Sequence, residues 1–413
     1  MPRGRPTILI DARVNAMEGA HGIARSVMKL TAHLARDDDD LTVRVLANTG
    51  RPQIFPLADL PPRAHVVETD IGPGAVHRCL ELARLIRSTG AGVMYIPYPT
   101  FTPLIRPCPV VVTLHDCTIE RDVRFAGSWH RQAQLTVATR AAVRRAAAVT
   151  APSEASLADI RRHYPSAPNP ALVPNGVDLT QFSAVPADSV AVARQRYALP
   201  DQFILAIGAH RPHKNHEVLV RALAELPAHM SVVIVGYVDP SFQQPLPGLI
   251  ARLGLESRVR LVPGVADSLL PAVYRAASVF AFPSLAEGFG MPVLEAMASG
   301  IPVVASDIPP VAEVTGSAAT LVSPTDVAAW ASAVTAMLAD PALARRRCEA
   351  GAAIARSLSW ERGAAALRSV LMAVATGRAH DYEVSLPSYK AVNSSSASDA
   401  FAARPSAWPR PRW

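Results

Sequence analysis

Two glutamates frame a glycine-containing loop in the second half of the chain. Seven residues separate Glu287 from Glu295, and Gly288 and Gly290 lie between them. An apolar run precedes the loop and a helical pattern follows it, which would place free backbone amides at the carboxyl edge of a parallel sheet. Such a site suits an anionic ligand, with one carboxylate on a sugar, the other on a ribose and phosphates between them. A tight strand-to-helix turn carrying two unrelated glutamates is the alternative.

A basic cluster follows another apolar run. Gly208 ends the predicted strand Phe203–Ile207, and Arg211 and Lys214 come before a helical pattern. Cations held there could meet the charge that develops on a departing diphosphate. A solvated basic helix start is the alternative.

The first half of the chain offers two further candidates. The apolar run before His115 and Asp116 would deliver both side chains at the carboxyl end of a buried strand. A lone histidine in such a place is more often a satisfied polar residue than a ligand. The loop Gly19–Arg25 follows the first predicted strand but lacks the glycine spacing of a dinucleotide fingerprint. Within it, Arg25 would contact phosphate or an acceptor, or lie on a solvated face.

These residues require parallel strands to position them, and the chain has the matching rhythm. Short β-branched runs alternate with Ala-, Leu- and Arg-rich helical stretches, which is typical of α/β sheets. The rhythm pauses over residues 175–200, where we place the linker, and a chain of 413 residues is longer than one core usually supports. We predict an N-terminal domain over 1–185, a C-terminal domain over 186–360, a closing helix over 361–377 and a disordered tail over 378–413.

Composition narrows the classes of protein. Half of the residues are hydrophobic and 6% are aromatic, which favours helices packed on sheets over an aromatic-rich β-sandwich. The four cysteines match neither zinc nor redox spacing, which favours a reduced, cytoplasmic setting. We find no secretory signal and no apolar stretch of the roughly 18 to 20 residues that a membrane span needs. The net charge of +7 fits an anionic substrate or membrane surface, and no nucleic-acid motif accompanies it.

Two charged segments need separate interpretation. Asp37–Asp40 looks like a metal-binding D-x-D, but it lies between a helix and a strand start, at the edge of the sheet away from ligands. We interpret it as a solvated charge run and predict no catalytic metal. The helical stretches 130–145 and 154–163 carry six arginines among Ala, Leu and Val. They form either a basic amphipathic surface for anionic lipid or an ordinary solvated face.

The segment with two glutamates and Gly-Phe-Gly-Met-Pro between them resembles a motif of the retaining glycosyltransferases with the GT-B fold. Within these enzymes it resembles family 4, also called glycosyl transferases group 1, and in particular the members of the bacterial polysaccharide-assembly type. The resemblance extends from about Ile8 to Thr376. It implies two Rossmann-like parallel-sheet domains that face each other across a cleft. It also implies a nucleotide-sugar co-substrate on the C-terminal domain, an acceptor on the N-terminal domain, and no cofactor.

The resemblance assigns roles to individual residues. Glu287 would hold hydroxyls of the transferred sugar, and Glu295 would bind the ribose. Lys214 matches the family's lysine. Arg211 lies three residues before Lys214, a position that differs from that of the arginine in many family members. Both cations would stabilise the diphosphate. His115 would face the donor sugar across the cleft. The other residues expected to bind the donor, through close backbone approach or loop amides, are Gly22, Gly208, Gly288, Phe289, Gly290 and Met291.

We therefore expect a retaining, metal-independent hexosyltransferase that uses a nucleotide sugar, with GDP-mannose as the first expectation. Its expected acceptor is a lipid-linked saccharide in bacterial exopolysaccharide or O-antigen synthesis. We expect it in the cytoplasm at the inner face of the membrane, in peripheral contact with anionic lipid. A GT-B scaffold without catalysis and a sugar-nucleotide epimerase are the alternatives. The presence of Glu287, Lys214 and His115 counts against the scaffold, and product analysis would separate the epimerase.

Overall fold

The computed structural model describes residues 5–36, 40–72, 75–168 and 170–378. Asp37, Asp38 and Asp39 of the acidic run, and the predicted tail beyond Arg378, lie outside the described residues. Asp40 is described, and its carboxylate pairs with Arg368 of the closing helix at 3.6 Å.

The first half of the described chain forms one parallel sheet with strand order β3-β2-β1-β4-β5-β6-β7. Its strands are β1 (Thr7–Asp11), β2 (Thr42–Asn48), β3 (Ala64–Thr69), β4 (Val93–Ile96), β5 (Val110–Thr113), β6 (Ala148–Ala151) and β7 (Ala171–Leu172). Its helices are α1 (His21–Leu34), α2 (Cys79–Ser88), α3 (Thr118–Arg121), α4 (Val123–Ala126), α5 (Trp129–Arg145) and α6 (Glu154–His163). The central strands are buried on both faces, so their sequences are almost continuously apolar.

The second half of the described chain repeats this plan with strand order β10-β9-β8-β11-β12-β13, again with parallel neighbours. Its strands are β8 (Phe203–Ile207), β9 (Ser231–Val235), β10 (Val259–Val262), β11 (Val279–Phe282), β12 (Val303–Ser306) and β13 (Ala319–Val322). Its helices are α7 (Leu179–Ser183), α8 (Ala187–Tyr197), α9 (His216–Leu223), α10 (Leu246–Arg252), α11 (Leu270–Ala276), α12 (Met291–Ala298), α13 (Pro309–Thr315), α14 (Val327–Ala339) and α15 (Pro341–Ser357). The final helix is α16 (Trp360–Ala375).

Each sheet has a point where the strand order reverses. In the first sheet it lies between β1 and β4, and in the second between β8 and β11. In open α/β sheets ligands bind outside the carboxyl ends of the strands at such a reversal. The loops after β8 and β11, which carry the predicted basic cluster and the glycine loop, therefore leave the sheet side by side.

Along the chain, the apolar core of the first domain gives way to that of the second before the predicted boundary at residue 185. Val173 belongs to the first core, whereas Val177 and Phe182 belong to the second. The predicted linker over 175–200 is thus largely helical and packed on the second domain. The closing helix α16 returns to the first core through Trp360 and Leu367.

The chain crosses between the domains twice at one place. The Val177 amide donates to the Leu358 carbonyl at 3.0 Å, and Val177 forms a parallel bridge with Ser359. A Cβ at Gly176 would overlap the backbone of Ser359 and Trp360. A glycine at this position allows the two crossing segments to lie in contact.

Among the described residues, no single helix has both the length and the apolar character to cross a bilayer. The pair α14 and α15 meets both criteria only when its members, bent by 97° at their junction, are taken together.

Candidate functional site

Lys214 and Glu287 come from separate loops and meet at the strand-order reversal of the second sheet. A 3-10 turn (Pro212–Lys214) after β8 carries the lysine, and the loop after β11 carries the glutamate. The Lys214 Nζ lies 2.6 Å from the Glu287 Oε1, and the two side chains are only 16% and 13% exposed. The ammonium also lies 5.5 Å from the centroid of the Phe282 ring. The predicted basic cluster and glycine loop therefore form one site.

Local backbone features hold Lys214 in place. Its aliphatic carbons lie over Gly208, where a Cβ would approach them to 3.2 Å. Asn215 adopts a left-handed conformation with φ of 53° and donates through Nδ2 to the carbonyls of Pro283 at 3.0 Å and Pro324 at 2.7 Å. The turn is thereby tied to the loops that follow β11 and β13.

Arg211 does not pair with Glu287 but with Asp239, which was not predicted. The Arg211 Nε donates to the Asp239 Oδ2 at 2.8 Å, and that carboxylate is 8% exposed. Burial opposes ionisation of Asp239, but hydrogen bonds from Ser241 and Arg211 lower its pKa below the ordinary value. The Arg211 guanidinium also lies close to Gly19 of the N-terminal loop, where a Cβ would be 3.8 Å from its Nη2. Arg211 thus reaches the domain boundary.

Glu295 lies on α12, buried between the two domains. Its Oε1 accepts from the Arg25 Nη1 at 2.9 Å, and its Oε2 accepts from the Tyr274 hydroxyl at 2.8 Å. Burial raises the pKa of Glu295, against the opposing effects of the Arg25 charge and the Tyr274 hydrogen bond. Arg25 also forms an ion pair with Asp267. Of these partners only Arg25 had been considered from sequence.

The loop between the two glutamates contacts the N-terminal domain. Gly290 has a φ of 101° and precedes the first turn of α12, whose leading amides have no acceptor within the helix. The Phe289 side chain is buried in the second core, so only its backbone is available to a ligand. A Cβ at Gly22 would lie 3.1 Å from the Met291 methyl group. The N-terminal glycine loop and the start of α12 therefore face each other.

His115 lies directly across this boundary. A Cβ at Gly288 would overlap its carbonyl oxygen, so the glycine permits the two backbones to touch. The imidazole hydrogen-bonds the Pro97 carbonyl, and burial lowers its pKa. Among the described residues its Nε2 has no partner. The lowered pKa favours the neutral ring, in which Nδ1 donates to Pro97 and Nε2 is an acceptor.

Asp116 caps the turn that follows His115. Its carboxylate accepts from the Thr118 amide at 2.8 Å, so it does not orient the imidazole.

Within the described part of the chain, no group of three His, Cys, Asp or Glu side chains is arranged to hold a metal ion. The absence of a catalytic metal stays a prediction.

Two family profiles match the chain, one over each half. The profile described as "Glycosyl transferases group 1" matches residues 192–353, and the profile described as "Glycosyltransferase Family 4" matches residues 20–181. Between them the two matches cover most of both sheets. The chain belongs to the group 1 glycosyltransferases.

Relatives of this group 1 glycosyltransferase include two named D-inositol 3-phosphate glycosyltransferase. The protein from Streptomyces scabiei is 37% identical over 239 residues, which is 54% of this chain and 52% of the relative. The protein from Streptomyces bingchenggensis is 32% identical over 278 residues, which is 63% of this chain and 61% of the relative. The chain thus spans about half the length of the curated relatives it matches.

Solved structures show that the group 1 glycosyltransferase has the GT-B fold. Sucrose-phosphate synthase from Thermosynechococcus elongatus superposes with a TM-score of 0.74 at 22% identity, covering 90% of this chain and all of that one. HepE from Anabaena, in complex with UDP and glucose, superposes with a TM-score of 0.72 at 22% identity, covering 88% of this chain and 99% of that one. The predicted fold class is confirmed.

Proposed function

We propose that this group 1 glycosyltransferase moves a hexosyl residue from a nucleotide sugar to an acceptor hydroxyl, with retention of anomeric configuration and without a metal ion. The observation that carries the proposal is the pairing of Lys214 with Glu287 at the strand-order reversal, opposite His115. Lys214 supplies a cation for the leaving phosphate at this place, and Glu287 and His115 supply acceptors for sugar hydroxyls.

Each polar group has a distinct task in this proposal. Lys214 and Arg211 neutralise the charge that develops on the nucleoside diphosphate as the glycosidic bond breaks. Glu287 and the free Nε2 of His115 accept hydrogen bonds from hydroxyls of the transferred sugar. Glu295 accepts from the ribose, using carboxylate lone pairs that Arg25 and Tyr274 leave available.

Retention follows from where the proton goes. The departing phosphate oxygen takes the proton of the acceptor hydroxyl on the face that the leaving group vacates. The new bond therefore forms on that face, and Glu287 orients the sugar without attacking it. Contacts such as Gly288 on His115 and Gly22 on Met291 close the cleft over the donor, which limits hydrolysis by water.

For the donor we propose GDP-mannose, and for the acceptor a lipid-linked saccharide in polysaccharide assembly at the cytoplasmic membrane face. The complex of HepE with UDP and glucose makes UDP-glucose the rival donor. The names of the relatives make a phosphorylated inositol the rival acceptor. Peripheral contact with anionic lipid is supported by α5, whose Trp129 and Val137 are each 65% exposed beside Arg140 and Arg144.

The test is a transfer and hydrolysis assay over GDP-, UDP-, ADP- and dTDP-sugars, with lipid-diphosphate saccharides and inositol phosphates as acceptors. Wild type is compared with Lys214→Ala, Glu287→Ala and the surface control Arg221→Ala. We expect turnover of one donor, lost in both site variants and kept in the control, with product of retained configuration. Absence of transfer with every donor, together with no thermal stabilisation by any nucleotide, would leave a non-catalytic scaffold as the function. Interconversion of donor sugars without transfer would indicate an epimerase.

A further inference from the structure

The amino end of α6 is capped by a carboxylate from the other domain. Glu313 on α13 accepts from the amides of Glu154 and Ala155, through Oε1 and Oε2, at 2.9 Å each. These are the first two residues of the helix, whose amides have no acceptor within it. The helix's own cap, Ser153, accepts from the Ser156 amide at 3.0 Å. The second domain therefore completes the cap of a helix in the first.

The same helix end holds the loop beside Glu287. The hydroxyls of Ser153 and Ser156 donate to the Gly288 carbonyl at 2.6 and 2.9 Å. The Ser156 hydroxyl also lies 3.2 Å from the His115 carbonyl oxygen. Movement of α6 would move the Gly288 carbonyl and the glutamate beside it. Glu313 therefore does not contact the proposed donor site itself, but it is connected to it through α6, whose Ser153 and Ser156 contact the Gly288 and His115 carbonyls.

The cap depends on a carboxylate. Two parallel N–H groups require two acceptor oxygens on one side chain, and a glutamine would set its own NH₂ against one of them. Burial raises the pKa of Glu313 to about 7, with a smaller increase from the neighbouring Glu154, against the lowering effect of the two amide hydrogen bonds. Among the described elements packed on α13, namely α6, α12, α15 and β12, Glu154 supplies the charge that acts on this carboxyl.

We propose that Glu313 is a positioning residue that fixes the Gly288 loop for donor turnover by capping α6 when the two domains close. The inference rests on the proposed function, since turnover is what the loop would serve. It also has a consequence that needs no turnover. The capped amides of Glu154 and Ala155 should be protected from hydrogen exchange at a pH above about 7, where the carboxyl is ionised.

The experiment measures two quantities on the full chain, at about pH 8 where the carboxyl is ionised, with Glu313→Gln, Glu313→Asp and, as matched control, Glu349→Gln on the exposed face of α15. Hydrogen exchange of the amides at the start of α6 should accelerate in the Gln variant but not in the control. The kcat/KM for the donor should fall about tenfold, as expected for one lost hydrogen bond, mainly in kcat.

Each outcome separates the inference from the proposed function. Unchanged exchange at α6 in a folded Gln variant would overturn the role of Glu313 even if the enzyme turns over. Absence of wild-type turnover would remove the proposed function, while the exchange measurement would still test the cap. If the Gln variant does not fold, the Asp variant takes its place, because its shorter side chain keeps the charge but loses the bidentate reach.

Discussion

Replacing Gly288 by alanine tests whether the domain contact described here is the one used in turnover. A Cβ at this position would overlap the His115 carbonyl oxygen and lie 3.1 Å from the Asp116 Cβ. The φ of Gly288 is outside the left-handed region, so alanine brings no backbone strain. The obstruction is backbone from the other domain, which cannot rotate away as a side-chain tip can. The expected defect is therefore incomplete closure and not misfolding.

The magnitude follows from the displacement required. The new Cβ would lie 1.7 Å from the His115 carbonyl oxygen and ordinary contact begins at 3.4 Å, so the loop and His115 must separate by about 1.7 Å. A misplacement of about 1 Å in a reacting site already costs roughly 100-fold in rate. That factor corresponds to about 2.7 kcal/mol of transition-state stabilisation. We expect Gly288→Ala to lower kcat/KM for the donor by roughly this factor, chiefly in kcat, since the nucleotide binds mainly on the C-terminal domain.

The assay combines steady-state kinetics with nucleotide binding by calorimetry and a thermal melt. Gly248→Ala on α10 is the matched control, because its new Cβ would meet only the flexible tip of Arg252 at 3.4 Å. The control should keep wild-type kinetics. A Gly288→Ala protein that melts like wild type and retains kcat/KM within threefold would refute the reasoning, because turnover would then use a domain arrangement without the contact at His115.

Three further predictions concern Lys214, His115 and the exposed face of α5. Lys214→Met should lower kcat by about 10²- to 10³-fold, as for loss of one preorganised charge stabiliser, and initial rates over a donor series will measure it. Burial lowers the pKa of His115 below its ordinary value, so the neutral ring should persist at about pH 6.5 and donor turnover should decline only at lower pH; His115→Gln should show a flatter acid limb. Trp129→Ser combined with Arg140→Glu should reduce co-sedimentation with anionic vesicles but leave hydrolysis of soluble donor unchanged; equal sedimentation would exclude α5 as the membrane contact.

The fold could be predicted from sequence because its strands are buried on both faces. Such strands are continuous apolar runs, and the predicted strand Phe203–Ile207 coincides with β8. By contrast, α13 was not predicted. Its first residues are Pro309 and Pro310, a pair typical of a loop, which here fills the first turn where no amide donor is needed. Glu313 was missed for that reason.

The site could be predicted only as separate parts. Lys214 and Glu287 were each placed at the end of a strand, but their pairing depends on β8 lying beside β11, which the strand order decides. The contact of Arg25 with Glu295 joins residues 270 positions apart, and no local pattern encodes it. Asp239 is likewise recognisable only through its pairing with Arg211. Sequence motifs predicted the candidate residues, whereas their partners depend on the strand order of the second sheet and, for Arg25 and Glu295, on how the domains meet.

These partners explain how one cleft can hold several buried charges and still exchange ligands. Lys214 pairs with Glu287 and Arg25 with Glu295, so neither cation lies uncompensated at the domain boundary. Removing one member of such a pair is costly, whereas adding another acceptor is not, because an ammonium has three donors and a carboxylate oxygen two lone pairs. A diphosphate can therefore join Lys214, and a ribose can join Glu295, without breaking the contacts already present. Of the two pairs only Arg25–Glu295 joins the two domains, so in the proposed function a ribose bound at Glu295 would couple donor binding to domain closure.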